Sequence, residues 1–244
     1  MIPLSKLRTA AREALAYVRA QADVAQAEVF ASANTNLTVR INYTSHIPSN
    51  GVEEPKSVES FGLGLRVAFH PSRGSSRSNS SNKVTTGYGS EPTDLSLDGV
   101  RRALDKARAG AVLDTEFVSL PKPQNKRQQI GESVPDPEIM QLKNPGLLKA
   151  GWRMIDQGLQ VFSTSEDLLN LAGSPQRLPD LGLILGGDLV LLQARMAIAS
   201  THMPRVQTDE STLAMSFATA MVEGQNSKGS GWSVDTHLAS FDGA

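Results

Sequence analysis

The sequence predicts an α+β fold in which antiparallel sheets are flanked by helices, arranged as two helix-plus-strand units. Three observations predict it. Apolar residues recur every three to four positions near the start of each half of the chain, as in amphipathic helices. In the segments that follow, apolar residues alternate with polar or small ones, as in half-buried strands. Clusters of Gly, Asn and Pro separate these segments, which is typical of strands joined by turns.

The chain opens on a predicted amphipathic helix followed by two strands. The helix has an apolar stripe opposite a charged face, formed by Leu4, Leu7, Ala11, Leu15, Val18 and Ala22. Residues 28–32 predict a short strand and residues 34–36 predict a turn. Period-two alternation from Leu37 to Tyr43 then predicts a second, half-buried strand.

A loop and a hairpin are predicted next. Residues 46–60 are polar and contain two prolines, so we expect a loop. Residues 61–70, FGLGLRVAFH, alternate as a strand, and the alternation resumes at Val84 on a return strand. Residues 71–83 contain no apolar anchor and predict a mobile hairpin tip.

Capping residues frame a second helix. Ser96 is the predicted N-cap, Asp98 lies in the first turn where the helix dipole favours an anion, and Gly110 follows the last turn. The predicted buried stripe is Leu97, Val100, Leu104 and Ala107. Asp98 and Asp105 interrupt the basic residues of this helix, which indicates a solvated face and not a nucleic-acid patch.

The composition shifts to Pro, Gln, Lys and Asn between residues 121 and 145, as in a connection between packed units. We therefore predict a first unit at residues 1–123, a linker at 124–143, and a β-rich central unit at 144–244 that is truncated at its C-terminal end.

The second half is predicted to contain one helix and four strands. Asn144 is the expected N-cap of a helix with Pro145 at its first position, and its predicted buried stripe is Leu148, Trp152, Ile155 and Leu159. The strand segments are VFSTS, LGLIL, LVLLQARMAIAS and TLAMSFATAMV. We expect a turn at residues 186–188 between the second and third of these segments, and we interpret the methionines of the fourth as core filler.

Composition and charge narrow the classes of function. The chain of 244 residues is 39% hydrophobic, which is typical of a folded protein. With Lys+Arg at 24 and Asp+Glu at 25 the net charge is -1, so we expect no nucleic-acid partner. The absence of cysteine removes disulfides and thiolate zinc sites. The sequence shows neither a signal peptide nor a membrane-spanning run, so we expect a cytoplasmic protein without a membrane partner.

No constellation of residues predicts catalysis. A zinc site on one helix needs two histidines three to five positions apart, and no pair among His46, His70, His202 and His237 has that spacing. No serine lies in a Gly-x-Ser-x-Gly elbow, and Gly62 and Gly64 lie inside a strand, where we expect them to allow close packing. The segment GWSVDTH is interpreted as a strand with a polar face. We therefore assign no catalytic and no metal-binding residue, and substrate-binding residues stay unassigned.

In their order along the chain, several segments resemble the amino-terminal part of the TldD/PmbA family, described as modulators of DNA gyrase and as zinc metalloprotease-like proteins. The matching segments are AQAEVFASANTNLTVRINY, FGLGLRVAF, VTTGYGSEPTDLSLDGVRRALDKARAG and VEGQNSKGSGW. Gly62, Gly64, Arg66 and Val67 occupy the G-x-G-x-R-V strand pattern of the family. The resemblance covers residues 1–123 in pattern and the remainder in arrangement.

The resemblance implies a non-catalytic portion of a metalloprotease-like protein, which shapes a cavity where unfolded peptides are cleaved. The catalytic branch of the family carries a His-Glu-x-x-x-His zinc helix in its C-terminal region, and this sequence has no counterpart. We therefore expect no cofactor in this chain and no activity of the chain alone, with zinc in a C-terminal region or a partner subunit. The implied partners are unfolded peptides and a TldD/PmbA homologue, in a homo- or hetero-oligomer.

Two interpretations stay open. The chain is either a fragment or shortened form of a protease, or an inactive partner-type homologue that serves as a stand-alone binding or scaffold module. Ser240 and Asp242 would suit the start of another helix, which favours truncation. A DNA-binding regulator is disfavoured by the balanced charge.

Overall fold

The computed structural model describes residues 1–47, 50–70, 84–123 and 135–241. In these residues the chain forms five α-helices: α1 (Leu4–Arg19), α2 (Leu97–Ala109), α3 (Pro137–Gln141), α4 (Asn144–Thr164) and α5 (Glu166–Ala172). The strands are β1 (Val24–Thr44), β2 (Gly51–Val52), β3 (Lys56–Phe69), β4 (Val84–Pro92), β5 (Val112–Asp114), β6 (Leu183–Ser200), β7 (Gln207–Val222) and β8 (Ser227–Asp235).

The strands form an antiparallel sheet of eight strands in the order β5-β4-β3-β1-β6-β7-β8, with β2 paired to β1. The predicted α+β fold is thus confirmed. No helix within the described residues is long and apolar enough to cross a membrane. The predicted hairpin tip at 71–83, most of the predicted linker, and Asp242 lie outside the described residues.

The chain divides into two compact units, each assembled from three stretches of sequence. The first unit takes residues 1–34, 59–133 and 194–210, and the second takes 35–58, 134–193 and 211–244. The long strands β1 and β6 each contribute to both units, so the units interleave along the sequence. The boundaries predicted above follow sequence order and stay a prediction.

The core of the first unit lies between α1, α2 and one face of the neighbouring strands. Each element contributes alternate or helically spaced side chains that are almost fully buried: Leu7, Ala11, Ala14 and Val18 from α1, Ala27, Val29, Ala31 and Ala33 from β1, Leu63, Leu65, Val67 and Phe69 from β3, and Val100, Ala103, Leu104 and Ala107 from α2. This confirms the two predicted helices and the alternation in β3. Leu97, predicted in the α2 stripe, is exposed instead.

Helix α2 packs very close to β4, and two glycines permit the approach. A Cβ atom on Gly89 would lie 1.8 Å from the backbone oxygen of Ala103, and one on Gly87 would lie 2.0 Å from that of Ala107. The helix begins as predicted, because the Ser96 hydroxyl oxygen accepts a hydrogen bond at 3.3 Å from an amide of the first turn.

In the second unit, α4 covers one face of β1 and β6. The buried side chains include Leu147, Ile155 and Phe162 from α4, Leu37, Val39 and Ile41 from β1, and Leu183, Leu185, Leu189 and Leu191 from β6. Trp152, predicted in the buried stripe, is 44% exposed. Asn144 is the first helical residue and not the N-cap, because Lys143 holds the cap position without a side-chain hydrogen bond.

Several predicted strand boundaries are wrong because pairing with neighbouring strands overrides local turn signals. Strand β1 runs without a turn through residues 34–36, where Ala33, Thr35 and Leu37 continue the alternation of buried positions. Strand β3 begins at Lys56, inside the predicted loop.

Two predictions in the second half are also corrected. Residues 161–164 of the predicted strand VFSTS form the end of α4. The predicted turn at residues 186–188 lies inside β6. A Cβ atom on Gly187 would lie 1.9 Å from the backbone oxygen of Phe217. This glycine therefore permits a close backbone approach inside the sheet and does not form a hairpin turn.

Candidate functional site

The histidines singled out in the sequence lie in turns or just after strands: His46 and His237 in the second unit, and His70 and His202 in the first. Among the described residues, no three His, Asp or Glu side chains lie close enough together to hold a metal ion. The described side chains therefore do not fit the zinc ion that the TldD/PmbA resemblance associates with its catalytic region.

Arg66, the charged residue of the G-x-G-x-R-V pattern, lies in the first unit between two aromatic rings. Its guanidinium carbon is 5.8 Å from the centre of the Tyr88 ring and 6.0 Å from that of Phe117. Of the two glycines in the pattern, Gly62 allows close packing, since a Cβ there would lie 2.8 Å from a β4 carbonyl. The space next to Gly64 is open, so the close-packing prediction holds only for Gly62.

A groove in the second unit is the strongest candidate for a binding site. It lies between α4 and the strand pair β7–β8 and has a volume of about 590 Å³. We call it the β8 groove, and its lining includes Met154, Gln157, Val161, Leu185, Ala218 and Gly231. A cavity of this size with a mostly apolar lining is typical of a site for a small ligand or a short peptide segment.

The groove exists because β7 and β8 present small side chains towards α4. Their antiparallel register pairs Ser216 with Ser233, Ala218 with Gly231, and Ala220 with Gly229. Glycine, alanine and serine leave unfilled the space that larger residues would occupy in an ordinary core.

The larger residues of the same strands alternate with these small ones, and Trp232 also lines the β8 groove. Phe217 pairs with Trp232, and Met215 pairs with Val234. Trp232 is 77% exposed, Phe217 49% and Val234 47%. Met215 and Met221 of β7 are only half-buried and are not among the buried core residues of this unit, so the interpretation of the β7 methionines as core filler is wrong. An exposed cluster of large apolar side chains is typical of a surface that binds a partner.

Strand β8 forms one edge of the sheet. Within the described residues its backbone pairs only with β7, so one row of N–H and C=O groups has no strand beside it. A Cβ atom added at Gly229 or Gly231 would meet nothing within 4 Å. Residues 227–232 of β8 are also exposed, so the backbone of β8 is accessible from its edge.

A buried hydrogen-bond network holds the end of β8 in place. The carboxylate of Asp136 accepts hydrogen bonds from the amides of Glu138 at 2.8 Å and Leu238 at 2.7 Å. The Thr212 hydroxyl accepts from the Asp136 amide at 2.9 Å and donates to the Thr236 carbonyl at 2.8 Å. These contacts tie the start of α3, strand β7 and the segment after β8 together.

The aromatic and the titratable residues of the segment GWSVDTH have separate roles. Trp232 lies in β8, whereas Asp235 ends the strand and accepts a hydrogen bond from the His237 amide at 2.9 Å. That hydrogen bond lowers the pKa of Asp235 below its ordinary value. The Asp–His pair thus shapes a turn, and the aromatic residue is the one that belongs to the candidate site.

Comparison with known proteins supports a particular fold. No family model and no curated protein matches the sequence. The structure is similar to that of a protein from Bacteroides thetaiotaomicron described as a candidate modulator of DNA gyrase, with a TM-score of 0.58 and 11% identity over 95% of this chain and 45% of that one. It is also similar to TldE from Thermococcus kodakarensis, with a TM-score of 0.55 and 11% identity over 94% of this chain and 42% of that one.

These similarities confirm the predicted TldD/PmbA resemblance as a resemblance of fold. The chain spans less than half the length of each of the two solved structures, at 45% and 42%. The similarity of fold alone does not assign the activity or the partners of the longer proteins to this chain.

Proposed function

We propose that this chain is a non-catalytic portion of a TldD/TldE-type assembly and that it binds unfolded, extended peptides along β8. The observation that carries the proposal is that the accessible β8 edge lies beside the β8 groove, which the exposed Trp232 helps to line. An extended peptide that pairs with a strand edge gains backbone hydrogen bonds whatever its sequence, which suits the recognition of unfolded chains.

The two faces of β8 would receive the side chains of the peptide alternately, because successive residues of a strand point to opposite faces. Side chains on one face would pack near Phe217 and Trp232. Those on the other face would enter the β8 groove near Val161. Both contact surfaces are apolar, so the site would favour peptides in which hydrophobic residues are not hidden in a folded core.

Cleavage is assigned to a different part of the assembly. The described residues offer no metal-binding group of side chains, and a zinc-bearing C-terminal region or partner homologue would supply the chemistry. We expect that the purified chain incubated with a fluorogenic peptide and zinc cleaves nothing. Cleavage that a chelator abolishes would contradict this assignment.

Peptide binding is testable with the tryptophan in the candidate site. The chain has two tryptophans, so Trp152→Phe leaves Trp232 as the only reporter. Titration with an unstructured peptide should shift the Trp232 emission to shorter wavelength, because the exposed ring becomes buried. Trp232→Ala should weaken binding of a labelled peptide about tenfold, whereas Phe30→Ala, an exposed aromatic residue in the first unit, should leave it unchanged.

Backbone pairing has a test of its own. A peptide that is N-methylated at every second residue lacks the donors on one of its edges, so one of the two alternating patterns should abolish binding and the other should preserve it. Equal binding of both peptides would refute strand addition. Failure of every peptide to bind a folded chain that still binds a TldD/PmbA homologue would favour the scaffold alternative.

A further inference from the structure

The first unit contains a second groove, which the proposed function does not use. It lies between α1 and the segment that joins β6 to β7, and its volume is about 720 Å³. We call it the arginine groove, because four arginines line it: Arg8, Arg12, Arg19 and Arg205. None of its lining residues carries a carboxylate. This local positive charge contrasts with a net charge of -1 for the whole chain.

The arginines of α1 form a row along one face of the helix. Arg8, Arg12 and Arg19 are separated by four and seven positions, a spacing that aligns side chains on an α-helix. At a rise of about 1.5 Å per residue, the row extends over about 16 Å. The three arginines are exposed and lie beside the buried stripe of α1, not within it. Packing of the core therefore does not require these charges.

Among the described residues, the cations of this groove have no carboxylate partner. Arg8 donates a hydrogen bond to the Thr208 hydroxyl at 3.3 Å. Within the described part of the chain, the guanidinium groups of Arg12, Arg19 and Arg205 make neither a hydrogen bond nor an ion pair. Elsewhere in the same unit, arginines do find acidic partners, as Arg108 does with Asp23 at 2.9 Å. Arg12, Arg19 and Arg205 therefore remain available to an anion from outside the chain.

A buried hydroxyl in the same groove independently indicates a ligand. Ser200, at the end of β6, is 1% exposed and lines the groove. Its Oγ atom is buried and has no hydrogen-bond partner in the part of the chain that the structure describes. A buried hydroxyl without a partner costs free energy that a methyl group would not. An acceptor oxygen bound in the groove would satisfy this hydroxyl.

We propose that the arginine groove binds an acidic, extended peptide segment. Its carboxylates would pair with the arginine row of α1 and with Arg205, and one of its oxygens would accept a hydrogen bond from Ser200. A row of about 16 Å matches about five extended residues at about 3.3 Å each, whereas a single small anion would occupy only one end. Apolar residues between the cations, such as Leu15 and Val206, would contact the aliphatic parts of the segment.

The test uses the full chain and a fluorescein-labelled peptide of about eight residues in which glutamate and leucine alternate. Arg12→Gln/Arg19→Gln should weaken binding about tenfold at low salt, since each exposed pair contributes up to about fivefold. Lys6→Gln/Arg177→Gln removes two charges from exposed positions outside the groove and should change affinity less than about twofold. Far-UV circular dichroism checks that each variant is folded.

Ser200→Ala separates a ligand contact from a structural role. We expect binding to weaken about threefold or more, while the thermal unfolding midpoint stays equal or rises because an unsatisfied hydroxyl is removed. Unchanged affinity of Ser200→Ala, or of Arg12→Gln/Arg19→Gln, would overturn the proposal. So would equal binding of a lysine–leucine peptide, or stronger binding of a single-stranded oligonucleotide. Trp232→Ala should retain this binding, so the inference stands or falls separately from the function proposed for β8.

Discussion

The close contact between α2 and β4 leads to a sharp prediction for Gly89→Ala. The new Cβ atom would lie 1.8 Å from the backbone oxygen of Ala103 and 2.9 Å from the backbone nitrogen of Ala107. Both neighbours are helix backbone atoms, which cannot rotate away as a side chain can. To restore an ordinary contact, α2 must move outwards by about 1.5 Å.

The size of the effect follows from what that movement separates. Helix α2 buries Val100, Ala103, Leu104 and Ala107 in the first unit. A gap of about 0.5–1 Å already removes a quarter to a half of the dispersion attraction between packed atoms. Overpacking that shifts backbone typically costs about 1–3 kcal/mol. Because a whole helix must move here, we expect a loss of about 3 kcal/mol.

The matched control is Gly64→Ala on the neighbouring strand β3, where a Cβ atom would meet nothing within 4 Å. Replacing this strand glycine should leave stability unchanged or raise it by about 0.5 kcal/mol. The two variants make the same chemical change and differ only in the space that receives the methyl group.

The assay must report on the first unit, and both tryptophans lie in the second. Amide hydrogen exchange of the α2 segment, followed by mass spectrometry, measures local opening directly. We expect exchange in Gly89→Ala to be about a hundredfold faster, which corresponds to about 3 kcal/mol. If α2 exchanged within about threefold of the unmodified protein in both variants, the close packing on β4 would be refuted.

Three further predictions follow from individual contacts. Ser96→Ala should cost about 1 kcal/mol in the same exchange assay, because the Gly99 amide loses its capping acceptor. Hydrogen bonds from Ser96 lower the pKa of Asp94 from 3.8 to about 2. Their stabilisation is therefore present above pH 4 and is lost as the pH falls towards 2. Asp94→Asn should make stability depend less on pH between pH 4 and 2, as measured by acid unfolding followed by circular dichroism. Asp136→Ala should lower stability by about 2 kcal/mol in urea unfolding followed by tryptophan fluorescence, because the buried Leu238 amide loses its acceptor, and Asp136→Asn should recover part of the loss.

The elements predicted correctly are those with strong local signals. Helix α2 has a capping serine and a regular stripe, and β3 has uninterrupted alternation, so neighbouring residues suffice to predict both. Strand β1 was divided wrongly at residues 34–36 because asparagines favour turns locally, whereas pairing on both sides of the strand favours extended structure. Phe162 lies in a segment that resembles a strand. It is nevertheless buried in the core of the second unit, and this burial stabilises the end of α4.

The candidate site could be predicted only in part. The alternation of large and small residues in β7 is visible in the sequence, and the usual expectation places the large ones in the core. The structure reverses this, because α4 lies against Ala218 and its small neighbours and leaves Phe217 exposed. The pairing of Phe217 with Trp232 depends on the register between two strands. That register is a long-range property that spacing along the chain does not contain.

This chain shares its fold with two solved structures at only 11% identity. The fold constrains the hydrophobicity and the size of side chains, and not their identity. Alternate burial restricts hydrophobicity, and close approaches at Gly89 and Gly187 restrict size, so many different sequences satisfy both. Neither alternate burial nor close backbone approach accounts for Trp232 or for the arginine row. Within the described residues, an exposed indole and cations without carboxylate partners contribute little to stability, and the buried Ser200 hydroxyl has no hydrogen-bond partner. Stability does not explain these residues, so the two grooves that contain them are where binding should be sought.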